Sequence, residues 1–230
     1  MHSPIPDYLL EVLNSCSGDA GAVADYIPQL ATVDPDRFGI CVATIDGTAY
    51  VAGDAEVEFT IQSMSKPFAY ALALVDHGID GMLDKVDVEP SGEAFNEVSL
   101  ERDTGRPKNA MINAGAILTH SLIEGGSAAR RSERLRETFS RLAGRELVID
   151  EDTAASEIRT AHRNLGMAHL MKSVGVLECD PVEAVEGYSR QCSIMVTCRD
   201  LALMAVTLAN GGVQPVTGEH DNACGSRPHC

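Results

Sequence analysis

Glu58-Phe-Thr-Ile-Gln-Ser-Met-Ser-Lys-Pro-Phe-Ala-Tyr-Ala-Leu-Ala-Leu-Val75 decides how this chain reads. Val57, Phe59 and Ile61 alternate with polar neighbours as a strand does, and the run from Phe68 to Val75 is almost wholly apolar. A strand is therefore expected to give way to a helix near Ser63. Pro67 is tolerated only in a first helical turn, which sets where that helix starts. Ser63 and Lys66 stand at the junction, three residues apart and so on one helical face. A serine hydroxyl needs a base to become a nucleophile, and a lysine screened from water can hold the neutral amine that serves as one. The same residues also fit an N-capping serine followed by a solvated lysine. The apolar helix behind Lys66 favours partial burial of its amine.

Upstream, Phe38 to Ile45 and Thr48 to Ala52 read as two strands joined at Asp46-Gly47, since Asp-Gly supplies the positive φ angles of a tight hairpin turn. Tyr8 to Leu13 and Ala20 to Leu30 carry helical apolar spacing, with Asp7 and Asp19 placed to cap them. Downstream, Val86 to Met111 is rich in loop signals (Pro90, Gly92, Gly105, Pro107), and long loops in compact proteins often serve a site. Helices are expected over Asn113 to Ile123 and Ser127 to Gly144, the second with the stripe Leu135, Phe139 and Leu142. Its arginines (Arg130, Arg131, Arg134, Arg136, Arg141) interleave with Glu133 and Glu137 and read as a solvated face. Ile149 to Val176 reads as helix with room for a break, Pro181 to Tyr188 as another, and Asp200 to Asn210 as a last one stopped by Gly211-Gly212.

The 230 residues can bury a full core, and 44% hydrophobic with 23% charged residues is ordinary for a globular protein. A formal net charge of −16, from 34 acidic against 18 basic residues, argues against nucleic acid or an anionic membrane as partner. No stretch is apolar enough to cross a bilayer and the first residues lack an export pattern, so a cytoplasmic location is expected. Cys16, Cys41, Cys179, Cys192, Cys198, Cys224 and Cys230 are scattered, without Cys-x-x-Cys spacing, and indicate neither a disulfide frame nor a zinc site. The seven histidines show no metal spacing either, so no metal is expected. His220 to Cys230 has no period of either kind and is expected to be disordered, although Cys224, His229 and Cys230 are metal-ligand types.

Four further segments accompany Gln62-Ser-Met-Ser-Lys66 in order along the chain. Glu89-Pro-Ser-Gly-Glu-Ala-Phe-Asn96 leads through Pro107-Lys-Asn-Ala-Met-Ile-Asn-Ala-Gly-Ala-Ile117; Ser156-Glu-Ile-Arg-Thr-Ala-His-Arg-Asn164 follows; then come Tyr188-Ser-Arg-Gln-Cys-Ser-Ile194 and Leu208-Ala-Asn-Gly-Gly212. Together they resemble the serine-dependent glutaminases of the β-lactamase-like superfamily, from roughly the first hairpin to Glu219. The resemblance implies an α/β (α+β) fold of β-lactamase-like type: an antiparallel sheet with flanking helices plus a helical subdomain. A single domain over 1–230 is expected, its α/β part approximately 1–68 and 193–219, its helical part approximately 69–192, and 220–230 an aberrant tail. The implied activity is hydrolysis of L-glutamine to L-glutamate and ammonia through an acyl-enzyme, with no cofactor, in a protein that is commonly a homo-oligomer.

Carried over by position, Ser63 is the implied nucleophile and Lys66 its general base, with Tyr188 closing the pocket or relaying a proton. Asn113, Glu157, Asn164 and Tyr188 match substrate-binding positions, and Gln62 beside the nucleophile is expected to line the site. The residue types suit a free amino acid, whose ammonium needs a carboxylate and whose carboxylate needs donors. If Glu157 to Asn164 is helical, a spacing of seven puts both on one face. A β-lactamase or penicillin-binding enzyme shares Ser-x-x-Lys but also carries a Lys-Thr-Gly or Lys-Ser-Gly strand, and no lysine here (Lys66, Lys85, Lys108, Lys172) is followed by Thr-Gly or Ser-Gly. The family's later Gly-Met-Tyr and Lys-Ser-Gly segments do not occur in this sequence, and the composition changes after Glu219. The expectation is that the C-terminal strands are missing, that the last ten or so residues are out-of-frame readthrough or an artefact, and that the chain has little activity, so a non-catalytic member stands as the alternative.

Overall fold

The computed structural model describes residues 3–16, 18 and 21–220. Asp19 and the tail with Cys224, His229 and Cys230 lie outside the described residues. The described residues divide into two compact units, one from within 3–60, 139–148 and 195–220, the other from 61–138 and 149–194.

The first unit is built on the hairpin. Strands β1 (Gly39–Ala43) and β2 (Ala49–Gly53) pair antiparallel in the register Gly39↔Gly53 to Ala43↔Ala49. Gly47 takes φ 85°, and the Asp46 side chain accepts from the Thr48 amide at 3.0 Å, so the turn forms as its two residues dictate. Helix α1 (Ile5–Cys16) packs on β2, and the Leu13 side chain reaches Gly53. The helix expected over Ala20 to Leu30 shrinks to α2 (Pro28–Ala31). Pro28 drives Ile27 to extended geometry (φ −135°, ψ 150°), and Ile27 is the only buried residue among 21–28, which leaves no apolar face to bury. A second antiparallel pair joins β3 (Phe59–Thr60) to β4 (Met195–Val196). Helix α9 (Cys198–Ala209) opens on a capping box between Thr197 and Asp200, packs on β1, and ends before Gly211 and Gly212, both at positive φ. Arg145 forks onto the buried Asp200 carboxylate at 2.6–3.1 Å. His220 makes a single bridge with Val213 rather than standing free.

The second unit is helical. Its main elements are α3 (Lys66–Leu83), α4 (Asn113–Leu122), α6 (Glu151–Thr160), α7 (His162–Ser173) and α8 (Pro181–Cys192). Helix α4 packs against α3, α7 and α8, which is why every residue from Ala114 to His120 is buried. Helix α5 (Ala128–Ala143) belongs to this unit up to Thr138 and to the first from Phe139. Gly144 (φ 75°) stops it as its position suggested.

The arginine face of α5 is not uniformly solvated. Arg131 is buried against Glu183 at 3.2 Å, and Arg134 forks onto Asp76 of α3 at 2.5 and 2.6 Å. Charge alternation signals exposure only when the partners are local, and these two partners lie 52 and 58 residues away. Among the described residues, no helix is long and apolar enough to cross a membrane.

Candidate active site

Ile61 ends the strand: its backbone turns helical (φ −61°, ψ −28°) while its amide donates to Ile194 O at 2.8 Å. The chain then makes a 3-10 turn, Gln62–Ser65, before α3 begins at Lys66. Pro67 falls in the first turn of α3, where its missing N–H costs nothing. Gln62 is the only non-glycine at positive φ (50°) among the described residues, a strained conformation directly before Ser63. Ser63 is exposed, so its hydroxyl can be reached.

Lys66 is 4% exposed. Its Nζ donates to Met111 O at 2.9 Å and to Asn113 Oδ1 at 2.8 Å, and it lies 5.5 Å from the centre of the Phe95 ring. Burial lowers its pKa from the usual lysine value to about 8, so about a tenth of the amine is neutral at pH 7. The acceptors are held by an Asn109 turn. Its Oδ1 accepts from the Met111 and Ile112 amides at 3.0 and 3.1 Å, and its Nδ2 donates to Glu89 O at 2.9 Å. Gly115 lets α4 approach that turn: a Cβ there would stand 1.9 Å from Asn109 O.

Asn113 uses both ends of its amide within the protein, accepting from Lys66 and donating through Nδ2 to Asn164 Oδ1 at 3.2 Å. Tyr188, 4% exposed on α8, stands near the side chains of Ser63 and Cys192, which both act on the proton affinity of its phenol. Burial first, and then Cys192, keeps its phenol well above the usual tyrosine range, hence protonated. Glu157 is half-buried, and its charge is felt by both Tyr188 and Cys192.

All seven positions read from the sequence, Gln62, Ser63, Lys66, Asn113, Glu157, Asn164 and Tyr188, fall in the second unit. Direct hydrogen bonds tie Lys66 to Asn113 and Asn113 to Asn164, and the Tyr188 phenol feels the Ser63 side chain. The single helix imagined from Glu157 to Asn164 does not form. Ala161 (φ −72°, ψ 20°) separates α6 from α7, and Thr160 Oγ1 bonds back to Ser156 O and Glu157 O where the helix ends. Asn164 reaches Asn113 from a new helix instead. Three residues beside these escaped sequence reading: Asn109, Gln191 and Cys192. The last two were open to it, since they follow Tyr188 by three and four on one helix and so share its face.

An exposed serine beside a buried, protonated tyrosine, one turn from a buried lysine of lowered pKa, is a residue set suited to serine acyl-transfer chemistry on a mixed α/β fold. The family model for glutaminase matches residues 21–223. The glutaminase of Corynebacterium efficiens is 53% identical over 219 residues, 94% of this chain and 52% of that protein. The glutaminase of Trichormus variabilis is 51% identical, covering 93% and 66%. A crystal structure of Mglu in its glutamate form superposes with TM-score 0.90 at 51% identity, over 96% of this chain and 51% of that one. The probable glutaminase of Bacillus subtilis gives TM-score 0.81 at 36% identity, over 94% and 70%. The chain belongs to the glutaminase family. It spans about half to two thirds of the length of those two sequence relatives.

Proposed function

We propose that this protein hydrolyses L-glutamine to L-glutamate and ammonia, with Ser63 as nucleophile and Lys66 as its base. The buried Lys66 amine of lowered pKa, three residues from an accessible serine, is the observation that carries this reading. Neutral Lys66 takes the Ser63 proton as Oγ attacks the side-chain amide carbon. The proton passes to the departing nitrogen, through Lys66 or Tyr188, as the C–N bond breaks and ammonia leaves. Water then attacks the glutamyl ester, gives its proton to Lys66, and glutamate departs as that proton returns to Ser63 Oγ.

Glu157 is assigned the substrate ammonium, and Asn164 and Asn113 the carboxylate, with Gln62 lining the site. In the free protein Asn113 Oδ1 accepts from Lys66 and one Nδ2 hydrogen goes to Asn164, which leaves the second Nδ2 hydrogen for the carboxylate. The relatives' names and the glutamate held by Mglu support the substrate. No cofactor enters these steps. A cytoplasmic location and a homo-oligomer belong to the same reading, and fractionation and light scattering test them.

The decisive experiment incubates the purified protein with glutamine and with a diazoketone analogue of glutamine. Ammonia release abolished by Ser63→Ala, together with a mass adduct on the Ser63 peptide, is the expected result. An unreactive Ser63 and no ammonia would make this chain a non-catalytic member of its family.

A further inference from the structure

Ser65 lies between the proposed nucleophile and base, is fully buried, and heads α3 without capping it through its side chain. Its hydroxyl is instead taken by another helix: Gln191 Nε2 of α8 donates to Ser65 Oγ at 2.9 Å. Gln191 Oε1 in turn lies 3.0 Å from His120 Nδ1 of α4. Gln191 is 1% exposed and His120 0%, so this is a fully buried polar chain directly beneath the 3-10 turn.

The protons along this chain can be assigned. Gln191 offers one acceptor and one donor end, and the donor end faces Ser65, so His120 must donate from Nδ1. His120 Nε2 has no hydrogen-bond partner and faces Gly187, where a Cβ would stand 2.2 Å from it. A proton there would find no acceptor, and burial holds the imidazole at about 4, hence neutral. The neutral Nδ1–H tautomer is thus the only form that fits. The Ser65 hydroxyl accepts from Gln191 and keeps its own proton, with the Cys192 thiol nearby.

Two helix spacings make this more than a local bond. On α8, Tyr188 and Gln191 are three apart and share a face, so the helix that stands beside Ser63 also holds the turn at Ser65 by a hydrogen bond. On α4, Asn113 and His120 are seven apart, two full turns, so one helix holds both Lys66 and the group that orients Gln191.

We infer that Gln191, oriented by the Nδ1–H of His120, is a positioning residue that fixes the Ser63–Lys66 turn through Ser65. Neither touches the substrate in the reading above. This inference rests on that reading for the identity of the nucleophile, not for the geometry. A slack turn displaces Ser63 from its attack position, and a displacement of about 1 Å costs on the order of a hundredfold in rate.

The test pairs glutamine kinetics with labelling of Ser63 by a fluorophosphonate, in which the serine oxygen bonds phosphorus and fluoride leaves. Gln191→Met is expected to slow both kcat and labelling by about 10- to 100-fold while KM stays within about twofold. His120→Asn places an amide N–H where Nδ1 stands and is expected to stay near the parent rate. His120→Gln carries its N–H farther out and is expected to be as slow as Gln191→Met, and the double variant no slower than either single one. Gln191→Met at the parent labelling rate, or His120→Asn as slow as His120→Gln, overturns the inference. A parent that labels at Ser63 but releases no ammonia defeats the glutaminase reading alone, and the labelling series still decides this one.

Discussion

Lys66 Nζ and Asn113 Oδ1 are joined by a 2.8 Å hydrogen bond in which the amide oxygen only accepts. The acceptor is neutral, so it orients the amine without adding a negative charge that would hold the proton on it. Asn113→Asp replaces it with a carboxylate, which favours the ammonium. The midpoint of the rate–pH curve is expected near pH 8 in the parent, where Lys66 loses its proton, and about 1–3 units higher in this variant. Initial rates of ammonia release from pH 6 to 10 read both midpoints, and an unmoved midpoint removes Lys66 as the titrating base.

The same burial makes Lys66 a liability for stability, and the sign follows from its pKa. Its folded value of about 8 lies below the ordinary 10.5. Below pH 8 both folded and unfolded chains hold the proton, and the charged amine penalises the fold by a constant amount. Between about 8 and 10.5 the unfolded chain keeps a proton the folded one has released, so stability from this group rises by about 1.4 kcal/mol per pH unit. Lys66→Met is expected to be more stable than the parent at pH 7, with the gap closing by pH 10.5. Urea melts of the two proteins across this range measure the difference and cancel the cysteines and tyrosines that titrate in both.

Asp76 and Glu133 both pair with arginines of α5, yet they differ in consequence. The Asp76 side chain is 3% exposed, takes the Arg134 fork and also accepts from the Glu124 amide at 3.0 Å. Burial pushes its carboxyl up, but Arg134 and the Glu124 amide pull it further down, to a net value below the usual one. Asp76→Ala is expected to cost about 1–3 kcal/mol at neutral pH, because it takes the carboxylate from Arg134 and leaves that amide without its acceptor. The stability Asp76 adds is complete above the ordinary carboxylate range and fades as acid falls through its depressed pKa. Glu133, half-exposed and paired locally with Arg136, is expected to change stability by less than about 0.5 kcal/mol when made Gln. Chemical denaturation separates the two outcomes.

Gly115→Ala drives a methyl group into a backbone oxygen that cannot yield as a side chain could. The Asn109 turn has to shift, and Met111 O moves with it away from Lys66. A loss of about 1–3 kcal/mol in stability is expected, together with slower labelling of Ser63. Unchanged melting and labelling would show that the turn absorbs the group.

Much of this architecture was legible because short-range chemistry decides it. Asp46-Gly47 permits little but a tight turn, Pro67 belongs in a first helical turn, and Gly144 and Gly211 end helices by going left-handed. The misreadings have physical causes as well. Ala20 to Leu30 carries helical spacing, but spacing without a face to cover does not make a helix. Thr160 offers its hydroxyl to the carbonyls that α6 would need to continue. Arg131 and Arg134 look solvated until the chain returns with Glu183 and Asp76, and nothing within α5 announces those partners. The site was readable as a set of residues in order; the contacts among them, such as Gln191 on Ser65, span 126 residues and belong to the fold alone.

Helix α4 places Asn113 and His120 two turns apart, and that interval cannot be edited. One residue inserted between them would rotate everything beyond it by about 100° and advance it by about 1.5 Å, parting His120 from Gln191 while Asn113 stayed on Lys66. Insertions and deletions are thus incompatible with this stretch. Sequences that keep the arrangement can vary in length only outside it, for example at Gly126, which sits at φ 73° with open space around it after the helix.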